Sequence, residues 1–233
     1  FRRVLFRSVY NTGRLVCLDT RTNEIKWQQD DLVGELGTDK QGIFTLFVDR
    51  DNDIWMYSPL GIWVYNPEQE KWLSWLTNII KRRSHNMVRA VSQDKQGRIW
   101  IGTDQDGIDI LDKKTGEVRQ LRNKTGDERS LQNNTVMVLY EDSSETMWVG
   151  TYKKGISYFN ECAFKFGAEY IGDISCIEED KEGYVWLGTN DVGIIYWNSV
   201  TGNRAAFPQK GMDKLTTDAI VCILKAGDGK LWR

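Results

Sequence analysis

The hydrophobic positions of this chain fall in short runs separated by polar turns, and the runs themselves return at long range. The segment DRDNDIWMYS recurs as DKQGRIWIGT, DSSETMWVGT, DKEGYVWLGT and the shorter AGDGKLWR, centred on Trp55, Trp100, Trp148, Trp186 and Trp232. The intervals are 45, 48, 38 and 46 residues. A period of that size, carrying short strands and no helical pattern, predicts an array of four-stranded blades.

Apolar residues recur before each tryptophan. Twelve residues ahead stand Ile43, Val88, Val136, Ile174 and Ile220, and nine ahead stand Leu46, Val91, Leu139, Ile177 and Ile223. An odd spacing of apolar residues puts both faces of one strand in apolar surroundings, as in a strand buried on both sides. Between them are the smaller Thr45, Ala90, Val138, Cys176 and Cys222, suited to innermost strands that converge where space is short. This is strand A. A turn of Asp, Gly and polar residues follows, as at Asp94 to Gly97 and Asp180 to Gly183, and the tryptophan segment is strand B. Strand C opens on glycine in GIWVYN, GIDILD, GISYFN and GIIYWN and ends on Asn or Asp, which starts another turn. EVRQL and RAAF are the candidates for the outer strand D, and SLQNNTV and KLTTDAI link D to the next A. Asn134 and Asp218 are placed to cap a turn in those links.

The fold class expected is therefore all-β: a β-propeller fragment of four full blades around Trp55, Trp100, Trp148 and Trp186. Half blades at residues 9–30 and 214–233 flank them, and Trp232 marks the second. GRLVCLDTRTNEIKW supplies C and D without A and B, while AIVCILKAGDGKLWR supplies A and B without C and D. The two halves could join into a composite fifth blade that removes exposed edges. The expectation favours a piece of a longer array, because the sequence stops one residue after Trp232, inside the most regular strand. The opening FRRVLFRS, residues 1–8, is read as a remnant outside the repeat.

Composition narrows the function classes. With 31 basic and 33 acidic residues the net charge is -2, which gives no reason to expect nucleic acid or an anionic membrane as partner. No apolar run approaches the length of a transmembrane helix. Ten tryptophans against three prolines suit aromatic packing between sheets. Four cysteines, Cys17, Cys162, Cys176 and Cys222, match neither a disulfide framework nor a zinc site and are expected as free thiols.

Strand A ending in ED or QD, the turn, [IMV]W[IVL]GT, then GI with an aromatic strand ending in N or D, and SL..NTV between blades, together resemble the two-component regulator propeller repeat. The resemblance runs from about Gly42 to Arg233. Two copies depart from it: the first has MYS where GT is usual, and the blade of Cys176 lacks the SL..N lead. The resemblance implies an extracytoplasmic, periplasmic sensor region of an inner-membrane hybrid histidine kinase, of the kind that reports on oligosaccharides in Bacteroidetes. It also implies further blades and domains of the same chain, a homodimer of the full-length sensor, and phosphotransfer in parts with no motif here.

A ligand is expected at the B to C and D to A loops of one face. Tyr57, Asp104, Gln105, Asp106, Tyr152, Lys153 and Asn190 combine aromatic, carboxylate, amide and cationic groups of the kind that bind sugar hydroxyls. The run KRRSHN offers Arg82 and Arg83 for an anionic sugar, with the lone His85 beside them. Trp72 and Trp75 are expected to pack beneath a loop. Ordinary solvated loops remain the competing reading of all these positions.

No catalytic residue, metal or cofactor is expected. His85 has no evident nucleophile or metal partner, and HExxH, GxSxG and phosphate-loop patterns are absent from the sequence. DRDND resembles the start of a calcium loop but lacks its glycine, and Leu60 stands where a closing glutamate belongs. LVCLDTRTNEIKW resembles a quinoprotein repeat, with Asp19, Thr22 and Trp27 at its spacing, in one copy only. A glycan lyase or hydrolase on a propeller, and a non-catalytic protein-interaction propeller, stay open as alternatives to the sensor.

Overall fold

The computed structural model describes residues 5–10, 12–19, 21–30, 43–59, 61–83, 87–160, 165–169, 171–198, 201–207, 219–225 and 231–232. Two compact units, residues 1–88 and 89–233, divide it. In the first, β1 (Leu5–Val9), β2 (Leu15–Asp19) and β3 (Glu24–Gln29) form a three-stranded antiparallel sheet, and β4 (Thr45–Val48), β5 (Ile54–Ser58), β6 (Gly61–Asn66) and β7 (Lys71–Trp72) form a four-stranded one. The segment α1 (Ser74–Arg83) follows. The second unit holds three four-stranded meanders. These are β8 (Val88–Gln93) to β11 (Val118–Leu121) through β9 (Ile99–Thr103) and β10 (Ile108–Leu111); β12 (Val136–Glu141), β13 (Met147–Thr151), β14 (Gly155–Asn160) and β15 (Lys165–Glu169); and β16 (Ile174–Glu179), β17 (Tyr184–Thr189), β18 (Ile194–Asn198) and β19 (Arg204–Phe207). The pair β20 (Leu224–Lys225) and β21 (Leu231–Trp232) comes last. Among the described residues the sheets are propeller blades, four of them four-stranded and two smaller.

One carboxylate organises each A to B turn. In the turn before β13, Asp142 Oδ1 accepts from the backbone amides of Ser144 and Thr146, both at 2.9 Å, while Oδ2 accepts from the indole Nε1 of Trp148 at 2.8 Å. The same indole bond joins Asp49 to Trp55 at 2.8 Å, Asp94 to Trp100 at 2.8 Å and Asp180 to Trp186 at 2.7 Å. Short polar side chains favour such local turns, and a buried indole N–H needs a partner. The aspartate therefore fixes both the turn and the ring six residues on.

The rings then cement neighbouring sheets of the second unit. Trp100 packs on Phe159 with ring centroids 5.6 Å apart, and Trp148 on Trp197 at 5.0 Å. The glycine two residues after the tryptophan marks the closest approach. A Cβ on Gly102 would lie 2.5 Å from Val136 Cγ1 in the next sheet, and one on Gly150 would meet Val138 Cγ1 at 2.5 Å and Ile174 Cβ at 3.1 Å.

In β12 and β16 strand A is apolar on both faces as expected, with a different assignment of residues, whereas in the first copy Ile43 lies ahead of β4 and is 88% exposed. The ladders shift register between Val136 and Val138 and between Ile174 and Cys176. Such a bulge reverses the alternation locally. Val136 and Leu139 thus share one cluster with Trp100 and Ile108 of the preceding blade. Val138 and Tyr140 join Trp148, Ile174 and Trp197 on the other side.

Other expectations are corrected. Leu5–Val9 lies in the first sheet, pairing Leu5 with Asp19 through Val9 with Leu15, where the opening segment was read as outside the repeat. Residues 74–83 form a helix where a loop was expected. Leu76 and Ile80, one helical turn apart, are buried, and Leu73 donates its amide to Val64 O at 2.7 Å. Trp72 lies in β7, while Trp75 on α1 is 48% exposed. Cys17, Cys176 and Cys222 are not in disulfides, and burial raises the pKa of Cys176; Cys162 lies outside the described residues. Among the described residues no helix is long and apolar enough to cross a membrane.

Replacing Trp148 with Ala removes a fully buried ring and is expected to cost about 3–5 kcal/mol in urea unfolding. Gly150→Ala should cost about 1–3 kcal/mol by overpacking. Losses near zero for both would contradict the stacking of these sheets.

Candidate functional site

The three B to C turns of the second unit are built alike. Thr103, Thr151 and Thr189 each donate Oγ1 to the carbonyl of the glycine four residues on, at 2.9, 2.9 and 2.8 Å. The D to A links lie against them: Gly107 N donates to Asn134 O at 2.8 Å, Tyr152 N to Thr135 O at 3.0 Å and Asn190 N to Asp173 O at 2.9 Å. Left-handed backbone at Gln105 (φ 79°) and Lys153 (φ 53°) tightens two of the turns.

This framework brings Asp104, Tyr152, Lys153 and Asn190 to one edge. The Asp104 carboxylate takes Arg89 at 2.7 Å and the Thr135 hydroxyl at 3.2 Å. Asn133 Nδ2 donates to Tyr152 O at 2.8 Å, so the same link holds both loops. The ring of Tyr152 is 41% exposed, and Lys153 Nζ stands 5.0 Å from its centroid, within cation–π range. The bond to Tyr152 first, with the charge of Asp173 contributing further on, holds the Lys153 ammonium above its usual pKa. Asn190 Nδ2 donates to Asp173 Oδ2 at 3.3 Å. The other oxygen of Asp173 is buried without a hydrogen-bond partner among the described residues.

Other predicted residues lie elsewhere or are spent differently. Asp106 is paired with Arg122 at 2.6 Å. Gln105 is exposed at the turn tip. Tyr57, expected in a loop, sits within β5 of the first unit and is 7% exposed. Arg82 and Arg83 end α1, and their side chains, with His85, lie outside the described residues. The edge also contains Arg89, Thr135 and Asp173, which the sequence reading missed. Asp173 occupies the repeat position of Thr135, thirteen residues before the tryptophan, so alignment of the copies could have found it.

The arrangement suits hydrogen bonding to hydroxyls beside an exposed ring. In the first unit, Asp49, Asp51 and Asp53 hold carboxylate oxygens within 4.8 Å of one another. Asp49 there repeats the turn geometry of Asp142, bonding the amides of Asp51 and Asp53 and the Trp55 indole, which accounts for the cluster structurally.

Residues 83–105, 130–153 and 171–191 match the family model of the two component regulator propeller. The chain carries two-component regulator propeller repeats. Each matched segment runs from a link through strand A, the aspartate turn and all of strand B into the B to C turn. No curated protein is similar to the chain in sequence. Among solved structures, an extracellular domain assigned to a hybrid two component system of B. thetaiotaomicron is similar over 98% of this chain and 30% of its own length, with a TM-score of 0.72 and 16% identity. Virginiamycin B lyase from Staphylococcus aureus, in a catalytically inactive H270A form with Quinupristin, is similar over 99% of this chain and 78% of its own, with a TM-score of 0.64 and 13% identity. The selenomethionine form of that lyase gives 0.60 and 12% over 88% of this chain and 70% of its own. These likenesses show the propeller fold.

Tyr152→Phe should lower the Lys153 pKa toward its ordinary value in an NMR titration of the Lys153 side chain. An unchanged midpoint would remove the Tyr152 hydroxyl from this contact.

Proposed function

We propose that this chain is a ligand-sensing part of the extracytoplasmic, periplasmic region of a membrane-bound two-component sensor, a hybrid histidine kinase, responding to an extracellular oligosaccharide. The edge of Asp104, Tyr152, Lys153 and Asn190 carries the reading. An exposed ring supplies a stacking surface, and the carboxylate, ammonium and amide beside it supply directional partners for hydroxyls. The repeats support the sensor half of the proposal. The propeller itself is non-catalytic in this reading, and phosphotransfer belongs to other domains of the same protein, which acts as a homodimer.

Signal transfer follows from the connections of the edge. A ligand bridging Tyr152 and Asn190 would bias the links at Thr135 and Asp173, which join successive blades, and so move blades as rigid bodies. Binding of neutral and uronic oligosaccharides by calorimetry tests the proposal. Tyr152→Ala should weaken the oligosaccharide bound by wild type about tenfold. Asp104→Ala should also weaken it while shifting stability by no more than about 1 kcal/mol, since its ion pair is part-exposed. Affinity unaltered in both variants would remove this edge from ligand binding.

A further inference from the structure

The joint between a B to C turn and the link into the next blade occurs twice in the second unit, in two different conditions. Four residues after a tryptophan stand Asp104 and Tyr152, and thirteen before the next tryptophan stand Thr135 and Asp173. In the first joint the Thr135 hydroxyl donates to Asp104 Oδ1 at 3.2 Å, so side chains tie the turn to the link. The second joint is open. Asp173 Oδ2 accepts from Asn190 Nδ2, in the turn of its own blade, at 3.3 Å, and Asp173 Oδ1 is buried with no hydrogen-bond partner among the described residues.

A group able to close it stands in the same turn. Lys153 Nζ lies over the Tyr152 ring, 5.0 Å from its centroid, and the charge of Asp173 already acts on it. An exposed cation–π contact is weak, whereas a bond from an ammonium to a carboxylate oxygen that is otherwise unbonded is among the stronger ones. Asp191 is spent on the link itself. Its Oδ1 accepts from the Asp173 backbone amide at 3.3 Å and lies so close to Gly172 that a Cβ there would meet it at 2.6 Å.

We propose that Asp173 is a second seat for the Lys153 ammonium, and that a ligand stacking on Tyr152 drives the ammonium from the ring to the Asp173 carboxylate, closing this joint as Thr135 closes the one before it. The inference rests on the reading of this edge as an oligosaccharide site and adds the step that couples the site to the next blade. The ring face that carries the ammonium is not open to a sugar plane at the same time. Lys153 belongs to one blade and Asp173 to the entry of the next, so one side-chain rotation changes what holds the two together. Asp173 is thus a positioning residue, acting through Lys153 without touching the ligand.

The second seat is tested without a ligand, by NMR titration of the Lys153 side chain in the full chain. Tyr152→Ala removes the ring, and Tyr152→Leu removes it while keeping an apolar side chain in case the first variant folds poorly. In either, the Lys153 midpoint should stay above the ordinary lysine value while Asp173 is present and fall to that value when Asp173→Asn is added. In Tyr152→Phe the ring still holds the cation, so no transfer is expected there. A midpoint that falls to the ordinary value on loss of the ring alone, or that stays raised in the double variant, would overturn the proposal. Either result stands whether or not an oligosaccharide binds this edge, which the calorimetry decides separately.

Discussion

The bond between a turn aspartate and the indole six residues later is the constraint on which these blades depend. One oxygen holds the turn amides and the other holds the ring, so the hairpin and the packing surface form together. For Asp142 all three bonds are buried or nearly so. Hydrogen bonds to a charged acceptor are worth more than neutral ones, and their loss in a buried place leaves several groups unsatisfied at once. In the last copy Ala226 stands six residues before Trp232, where the other copies carry aspartate.

From that anchor the stacking of the second unit follows. A ring held edge-on in strand B faces the next sheet, and the glycine beside it admits the neighbouring strand A closely. The bulge in strand A then directs alternate apolar side chains to the two adjoining blades. Turns are tied across as well: Glu179 accepts from both the amide and the hydroxyl of Ser143, repeating what Glu141 does at Lys95. The glutamate before each of these aspartates is therefore part of the joint between blades.

Much of this was legible from the chain alone, because a repeat presents each solution several times. The tryptophan, glycine and aspartate positions define strands A and B even where copies diverge. The bulge was not legible, since an apolar pair three apart looks the same whether a strand is regular and buried on both sides or irregular. Helix α1 escaped because it occurs in one copy; Leu76 and Ile80 carry the helical spacing, but the surrounding rhythm is that of strands. Tyr57 looked like a loop residue by analogy with the other copies, whereas the strand there extends through Ser58 and buries it. At the candidate edge, loop residues could be named from sequence, but their partners Arg89 and Thr135 emerge when the sheets are stacked, whereas Asp173 was within reach of a comparison of the repeat copies.

The same stacking separates two chemical faces. Loops on one side carry an exposed ring among mixed polar groups, while turns on the other side carry the aspartates that hold the indoles. Both faces inherit their geometry from the aspartate anchors, so the anchor is the place to test the account. A double-mutant cycle with Asp142→Ala and Trp148→Phe, followed by urea unfolding, measures the coupling of carboxylate and indole directly. The account predicts a coupling of about 1.5–3 kcal/mol, the range of a buried bond to a charged group. A coupling below about 0.5 kcal/mol, within ordinary additivity, would contradict it.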